Sequence, residues 1–286
     1  MKLLAALRTL GIMVLGLIVF LVVISIVQFP LRQAHVSEAV GAVVVGAVAL
    51  AIYVGWVRFV ERRAVTELAP RALIPETLLG IVVGLALFST AIGLLALADV
   101  FVVHGYGGWN GLAAGALSML LVAVTEEILF RGFVFRTIRT VAGTWIGVAV
   151  SAVAFGLFHA FNPGASVLST VAIALEAGVL LALAYAATNR LWLPIGLHAG
   201  WNFAEGFVFG TPISGTMPSH ARLYGELHGP LVMTGGAFGL EASIAAVGVC
   251  LLASCGFGIW VARRESNVAT FASGTAPPSA TGRILP

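Results

Sequence analysis

The stretch LVAVTEEILFRGFVF at residues 121–135 places two glutamates and one arginine inside an otherwise apolar run. Glu127 and Arg131 are four residues apart, so on a helix they share a face and can form an ion pair. Glu126 points about 100° away from Glu127, and its neighbour one turn later is Phe130, so its partner must come from elsewhere. A structural Glu–Arg bridge explains Glu127 and Arg131 equally well, but it leaves Glu126 without a cation. Ionisable groups at membrane depth are costly, so the stretch predicts a membrane helix that carries a functional site.

The composition of the whole chain agrees with a membrane protein. Hydrophobic residues make up 60% of the 286 positions, charged residues make up 9%, and the mean hydropathy is +1.06. A water-soluble domain of this length could not keep so much apolar surface away from solvent. The net charge of +3 comes from few residues and is not a signature of nucleic-acid binding.

Hydropathy predicts an all-α polytopic fold with about eight transmembrane helices. Thirteen of the 15 Lys and Arg residues fall on one side of this arrangement, and only Arg32 and Arg222 fall on the other. The positive-inside rule then places both termini in the cytoplasm. The predicted spans are residues 9–29, 38–58, 78–101, 112–138, 143–160, 167–188, 191–210 and 238–262.

We interpret residues 1–265 as one eight-helix membrane domain and residues 266–286, rich in Ser, Thr, Ala, Gly and Pro, as a disordered cytoplasmic tail. Residues 59–77 form a charged cytoplasmic loop, and residues 211–237 form a Gly- and Pro-rich external loop. Because backbone groups in hydrocarbon must bond internally, the spans are expected to be helices and not strands.

A second ionisable group is predicted to lie level with Glu126. The fourth and fifth spans form a hairpin whose turn should fall near Ala142–Gly143, and His159 lies as far after this turn as Glu126 lies before it. At 1.5 Å per residue, both side chains would be about 25 Å from the turn, deep in the membrane. A carboxylate and an imidazole at equal depth form a credible general-base pair.

The seventh span contributes His198 and Asn202, whose i, i+4 spacing puts both side chains on one face. A His–Asn hydrogen bond that joins helices is an alternative reading. Measured from a turn near Arg190, His198 would be only about 12 Å deep, so the seventh helix must start lower, or be tilted or broken at Pro194, to bring His198 to Glu126. Glu176, in the sixth span, either supports the residues of the site from behind or makes a helix–helix hydrogen bond, and we favour the hydrogen bond.

Three motifs on successive spans resemble the CPBP family, which includes the type 2 CAAX prenyl proteases and the bacteriocin-processing (ABI) enzymes. They are Glu126-Glu127-x-x-x-Arg131, Phe155-x-x-x-His159 and His198-x-x-x-Asn202. The resemblance covers about residues 112–210, and the external segment LVMTGGAFGLEAS also looks family-like.

The resemblance implies an intramembrane endopeptidase, read in this family as a glutamic protease or a metalloprotease. Glu126 would activate a water molecule with help from His159, and His198 and Asn202 would donate hydrogen bonds to the oxyanion. Glu127 and Arg131 would hold the motif together. We expect no cofactor, but a divalent metal such as zinc, bound by Glu126, His159 and His198, stays open as the lower-ranked alternative.

The expected partners are membrane lipids and a peptide or lipidated, CAAX-like protein substrate, cleaved at a site that opens towards the cytoplasmic half. The Ala-, Gly- and Val-rich composition suggests a bacterial plasma membrane. Two other functions stay open: a non-proteolytic immunity or scaffold protein, and a proton-coupled transporter that uses Glu126 and His159 as a relay.

Overall fold

The computed structural model describes residues 2–272 and confirms the all-α polytopic prediction. Eight long helices lie at the eight predicted spans, and within the described residues six of them are long and apolar enough to cross a membrane. The chain is thus an integral membrane protein. The helices are α1 (Lys2–Gln33), α2 (Glu38–Val60), α3 (Pro70–Leu97), α4 (Leu112–Ala142), α5 (Thr144–His159), α6 (Val167–Thr188), α7 (Trp192–Phe203, continued by Ala204–Val208) and α8 (Ile244–Ala272).

The ends of α3 and α8 differ from their predicted spans. Helix α3 covers Pro70–Leu97 instead of 78–101, so it includes the second part of the predicted loop 59–77. Residues 238–243 are irregular apart from a short 3₁₀ turn, and α8 begins at Ile244 and continues through Ala272. The first residues of the predicted tail therefore extend this helix, and the rest of that tail lies outside the described residues. We call the side of the membrane with the arginine-rich connections the inner side and the opposite side the outer side.

The outer connections contain a two-stranded antiparallel sheet that the sequence analysis did not predict. Strand β1 (Phe101–Tyr106) lies between α3 and α4, and strand β2 (Leu223–Leu227) lies in the long connection between α7 and α8. The expectation that the membrane spans contain no strands is consistent with this sheet, because both strands lie outside the helices.

The α4–α5 hairpin turns where the sequence predicted. Helix α4 ends at Ala142, Gly143 has a φ of +91°, and α5 begins at Thr144. Helix α4 is not regular throughout: Ile128–Phe135, directly after the paired glutamates, is π-helical. Similar wide turns occur at Ala174–Gly178 in α6 and at Ala204–Val208 in α7. Such segments often mark functional sites.

Glycines on both partners bring α3 and α7 into backbone contact. A Cβ added to Gly196 would lie 2.2 Å from the Thr77 carbonyl oxygen, and one added to Gly200 would lie 2.4 Å from that of Ile81. On α3, Gly80 and Gly84 pack against the backbone of α7 in the same way. Small residues four apart allow this close parallel packing in a membrane, and it fixes the position of α7.

On the inner side, Glu67 ties the α2–α3 connection to the helices around it. It is buried, accepts hydrogen bonds from Arg63 and from the Tyr53 hydroxyl, and its backbone carbonyl accepts from the Leu191 amide, just before α7. Burial alone would raise the pKa of Glu67, but the hydrogen bonds from Arg63 and Tyr53 outweigh it and lower the pKa from 4.5 to about 2.

The glycine contact predicts that Gly196→Ala destabilises the protein. The added methyl group meets a backbone carbonyl that cannot rotate away, and overpacking of this kind costs about 1–3 kcal/mol. The matched control is Gly93→Ala on α3, where an added Cβ meets nothing within 4 Å. Thermal unfolding in detergent should separate the two variants. Equal melting temperatures for both variants would contradict the proposed packing.

The Glu67 network predicts a stability that falls in acid. Because the pKa in the folded state lies near 2 and below the unfolded value of about 4.5, this contribution is present above pH 4.5 and is lost as the pH falls towards 2. Its size is about 3 kcal/mol. Unfolding measured against pH should show a steeper loss for the wild type than for Glu67→Gln. Parallel curves for the two proteins would show that Glu67 does not cause the loss of stability in acid.

Candidate functional site

Glu127 joins α4 to α7 at the centre of the bundle. Its Oε1 accepts a hydrogen bond from Arg131 Nη1 at 2.9 Å and lies 3.0 Å from His198 Nδ1. Both members of the Glu127–Arg131 pair are completely buried. The pair forms as the i, i+4 spacing predicted, and it also holds a histidine from another helix.

Arg131 is neutralised and fully enclosed. Its Nη2 donates to the carbonyl oxygens of Ala177 and Gly178 at 3.2 Å, at the end of the π-helical turn of α6. The guanidinium also lies 4.7 Å from the ring centroid of Phe155 on α5. One side chain thus links α4, α5 and α6, and it fixes the helix that carries Glu126.

Glu126 faces two imidazole rings, one from α5 and one from α7. Its Oε2 lies 3.8 Å from His159 Nε2 and 3.9 Å from His198 Nε2, and this oxygen is buried without a hydrogen-bond partner. The side chain is 18% exposed, so the other part of the carboxylate reaches open space. The structure therefore places Glu126 and His159 level across the α4–α5 hairpin, as predicted.

The hydrogen-bond partner of Nδ1 determines which nitrogen of each histidine ring carries a hydrogen. His159 Nδ1 is 2.9 Å from the Phe155 carbonyl oxygen, and His198 Nδ1 is 3.0 Å from the Glu127 carboxylate. Both partners only accept, so each Nδ1 carries a hydrogen and donates it. Each Nε2 is then left facing Glu126, as a bare nitrogen in the neutral ring or as a donor in the charged ring.

His198 reaches Glu126 because α7 starts deeper than its connection to α6 suggested. Asn189, in that connection, accepts a hydrogen bond from Arg139 Nη1 at 2.5 Å and so lies level with Arg139 instead of Gly143. Four residues of helix correspond to about 6 Å. The predicted depths assumed that the two turns are level, and this difference accounts for about half of the apparent mismatch of about 13 Å.

Asn202 shares an enclosed cavity of about 20 Å³ with His159 and His198. The far wall of this cavity is acidic, with Glu176 from α6 and Glu241 from the segment before α8. A space of this size holds one water molecule, and the lining offers it several polar partners. The two histidines therefore separate Glu126 from a small polar chamber.

Glu205 and Glu241 are buried carboxylates that the sequence analysis missed. Glu205 is completely buried and lies against the side chain of Glu241, which accepts hydrogen bonds from the backbone amide and hydroxyl of Ser214 at 2.9 and 2.7 Å. Both residues fall inside the predicted spans 191–210 and 238–262, so the rule that singled out Glu126 should have found them. Glu176 accepts a hydrogen bond from Cys250 Sγ at 3.4 Å, the helix–helix contact that was expected.

A groove of about 580 Å³ leads to Glu126 from the outer side. Its walls are the outer halves of α1, α2 and α4, with Glu126 and Phe158 at its inner end and with Ser37 and Glu38 at the α1–α2 connection. The expectation that the site opens towards the arginine-rich half is therefore wrong for this groove. The number of residues between Glu126 and the turn predicts the depth of Glu126. It does not predict which neighbouring helices diverge, and this divergence determines the side on which the groove opens.

Part of the chain matches the model of a known protein family. Residues 108–204, about a third of the chain, match the family model described as Type II CAAX prenyl endopeptidase Rce1-like. No curated protein and no solved structure matches the chain. The matched segment contains all the residues of the three sequence motifs, namely Glu126, Glu127, Arg131, Phe155, His159, His198 and Asn202.

The contacts of Glu127 predict that Glu127→Ala is far more destabilising than Glu126→Gln. Removal of Glu127 leaves Arg131 buried without its counter-ion, which costs about 3–5 kcal/mol. Glu126 Oε2 has no hydrogen-bond partner to lose, so its amide variant should unfold close to the wild type. Thermal unfolding in detergent measures both. A Glu127→Ala protein as stable as Glu126→Gln would refute the bridging role.

Proposed function

We propose that this chain, whose residues 108–204 match the family model of the Rce1-like type II CAAX prenyl endopeptidases, hydrolyses a peptide bond inside the membrane. The observation that carries the proposal is the approach of two imidazole Nε2 atoms, from α5 and α7, to within 3.8 and 3.9 Å of one unpaired carboxylate oxygen of Glu126. This carboxylate stands at the end of a groove of about 580 Å³.

Glu126 acts as the general base. We place the attacking water at the exposed side of the Glu126 carboxylate, where it donates one hydrogen to Glu126 and the other to His159 Nε2, since His159 Nδ1 already donates to Phe155. The lone pairs of this water then point away from both acceptors and can attack a peptide carbonyl carbon in the groove. The water's proton passes to Glu126 as the new C–O bond forms, and Glu126 returns it to the amine when the C–N bond breaks.

His198 stabilises the negative charge on the carbonyl oxygen, and Asn202 is the second donor where this oxygen enters the cavity that Asn202 shares with His198. To donate from Nε2, His198 must be an imidazolium, because its Nδ1–H is held by Glu127. The two negative charges of Glu126 and Glu127 are then balanced by the two positive charges of Arg131 and His198. A net charge of zero suits a site with little water. Two preorganised donors accelerate acyl transfer by roughly 100- to 1000-fold each.

Glu126, His159 and His198 are also a ligand set that zinc can use. With ligands about 2.0–2.1 Å from zinc, the edges of the tetrahedron measure about 3.4 Å. The two Glu126 distances are 3.8 and 3.9 Å, and within residues 2–272 the one group with three ligand atoms mutually within 4.8 Å lies elsewhere. As placed, the three side chains do not fit one zinc ion, so the mechanism proposed here uses none.

The groove supports a membrane-associated substrate that reaches Glu126 from the outer half. Its walls include apolar side chains of Phe20, Leu21 and Ile24, which suit acyl, prenyl or apolar peptide groups, and Arg32 and Glu38 at the outer end suit a peptide backbone or terminus. Together with the arginine asymmetry, this favours an exported or outward-facing peptide in a bacterial plasma membrane.

Replacement of Glu126 tests the proposal. In proteoliposomes with internally quenched peptides, one farnesylated at a CAAX-type end and one without lipid, Glu126→Gln should cleave roughly 100- to 10,000-fold more slowly than the wild type. His198→Ala and Asn202→Ala should mainly lower kcat. The control is Asp99→Asn, an exposed position just after α3, which should cleave like the wild type.

Three outcomes would overturn the proposal. If Glu126→Gln cleaves either peptide as fast as Asp99→Asn, Glu126 is not the base. If the wild type shows proton flux that Glu126→Gln abolishes, and neither protein cleaves peptide, the cluster is a transporter relay. An intact cellular phenotype for Glu126→Gln, without cleavage by the wild type, would instead indicate a scaffold.

A further inference from the structure

The outer sheet brings two histidines and a glutamate onto one face. In this sheet Val102 pairs with Glu226, and the register shifts between Val103 and Gly105, so that His104 stands at an irregularity of β1. His228 follows β2 directly, and its backbone amide donates to the Val100 carbonyl oxygen at 2.7 Å. A β-bulge commonly re-aims the side chain that it carries, and here it turns His104 towards Glu226.

The ligand atoms of these three residues, which we call the outer cluster, converge. His104 Nε2 lies 3.4 Å and His228 Nε2 lies 3.6 Å from the same atom, Glu226 Oε2. The three atoms all lie within 4.8 Å of one another. The tetrahedral edge around zinc is about 3.4 Å, so the two distances to Glu226 nearly match those of a formed metal site. All three side chains are exposed, so an ion can enter from solvent.

The chemistry of the outer cluster selects the kind of ion. Two imidazoles and one carboxylate suit Zn²⁺, Cu²⁺ and Ni²⁺, whereas Ca²⁺ and Mg²⁺ prefer oxygen ligands alone. Three protein ligands leave a fourth position open, which water fills. The Glu126 cluster uses the same residue types at wider separations, so the two clusters are distinct in geometry as well as in place.

We propose that the outer cluster of His104, Glu226 and His228 binds one divalent transition-metal ion, with Zn²⁺ as the ion to test. Isolated two-stranded sheets are marginally stable, and a bound ion would fasten β1 to β2. The same outer connection carries Ser214, whose amide and hydroxyl hold Glu241 at the wall of the buried cavity. The ion would therefore stabilise the outer cover of the buried site.

The test uses the full chain in detergent, with its affinity tag removed and after treatment with a chelator. Calorimetric titration with ZnCl₂ should show a site that is lost or weakened at least roughly 10- to 100-fold in His104→Ala, His228→Ala and Glu226→Gln. The matched control is His35→Asn, which replaces an exposed histidine in the α1–α2 connection with a residue that tolerates its φ of +49°. This control should bind like the wild type.

A second measurement separates the outer cluster from the buried one. Co²⁺ in a four-coordinate site absorbs visible light strongly, and this absorption should appear in the wild type and in Glu126→Gln but not in His104→Ala. Zn²⁺ should also raise the melting temperature of these two proteins and leave that of His228→Ala unchanged. Equal binding by His104→Ala and the wild type, or no binding by the wild type, would overturn the proposal. A site lost in Glu126→Gln would place the ion in the membrane instead.

Discussion

The position of the buried site depends on the burial of Arg131 and its neutralisation by Glu127. A guanidinium without access to water requires a counter-ion and further acceptors, and it finds them on α4 and on two carbonyls of α6. The same Glu127 oxygen then holds His198 of α7. One ion pair thus determines how three helices meet, and Glu126 and His159 face each other as a result.

The sequence predicted the elements that follow from local rules. Run lengths of apolar residues gave the eight helices, and equal distance from the turn at Gly143 placed Glu126 level with His159. The i, i+4 rule gave the Glu127–Arg131 pair. These predictions succeed because a helix in hydrocarbon satisfies its own backbone, so distance along the chain becomes distance through the membrane.

What the sequence could not predict is set by contacts between distant segments. The depth of α7 follows from its glycine contacts with α3 and from the hydrogen bond that Arg139 donates to Asn189. Neither contact joins residues that are close in the sequence, so no local sequence pattern predicts it. The segment before α8 folds inwards and places Glu241 beside Ser214 in the bundle, where hydropathy predicted the start of a helix. The direction of the groove depends on how far α1 and α2 stand from α4. Tertiary packing decides all three.

The shortness of α5 has a consequence for the lipid around the protein. Its 16 residues span about 24 Å, less than the roughly 30 Å of a typical hydrocarbon core. Several apolar side chains on this helix are exposed, Ile146, Val153 and Leu157 among them, so acyl chains lie directly against it. Hydrophobic mismatch is relieved by local thinning of the bilayer. Polar headgroups and their hydration water would then approach His159 more closely than elsewhere around the protein, so that water has a shorter path to His159 and Glu126.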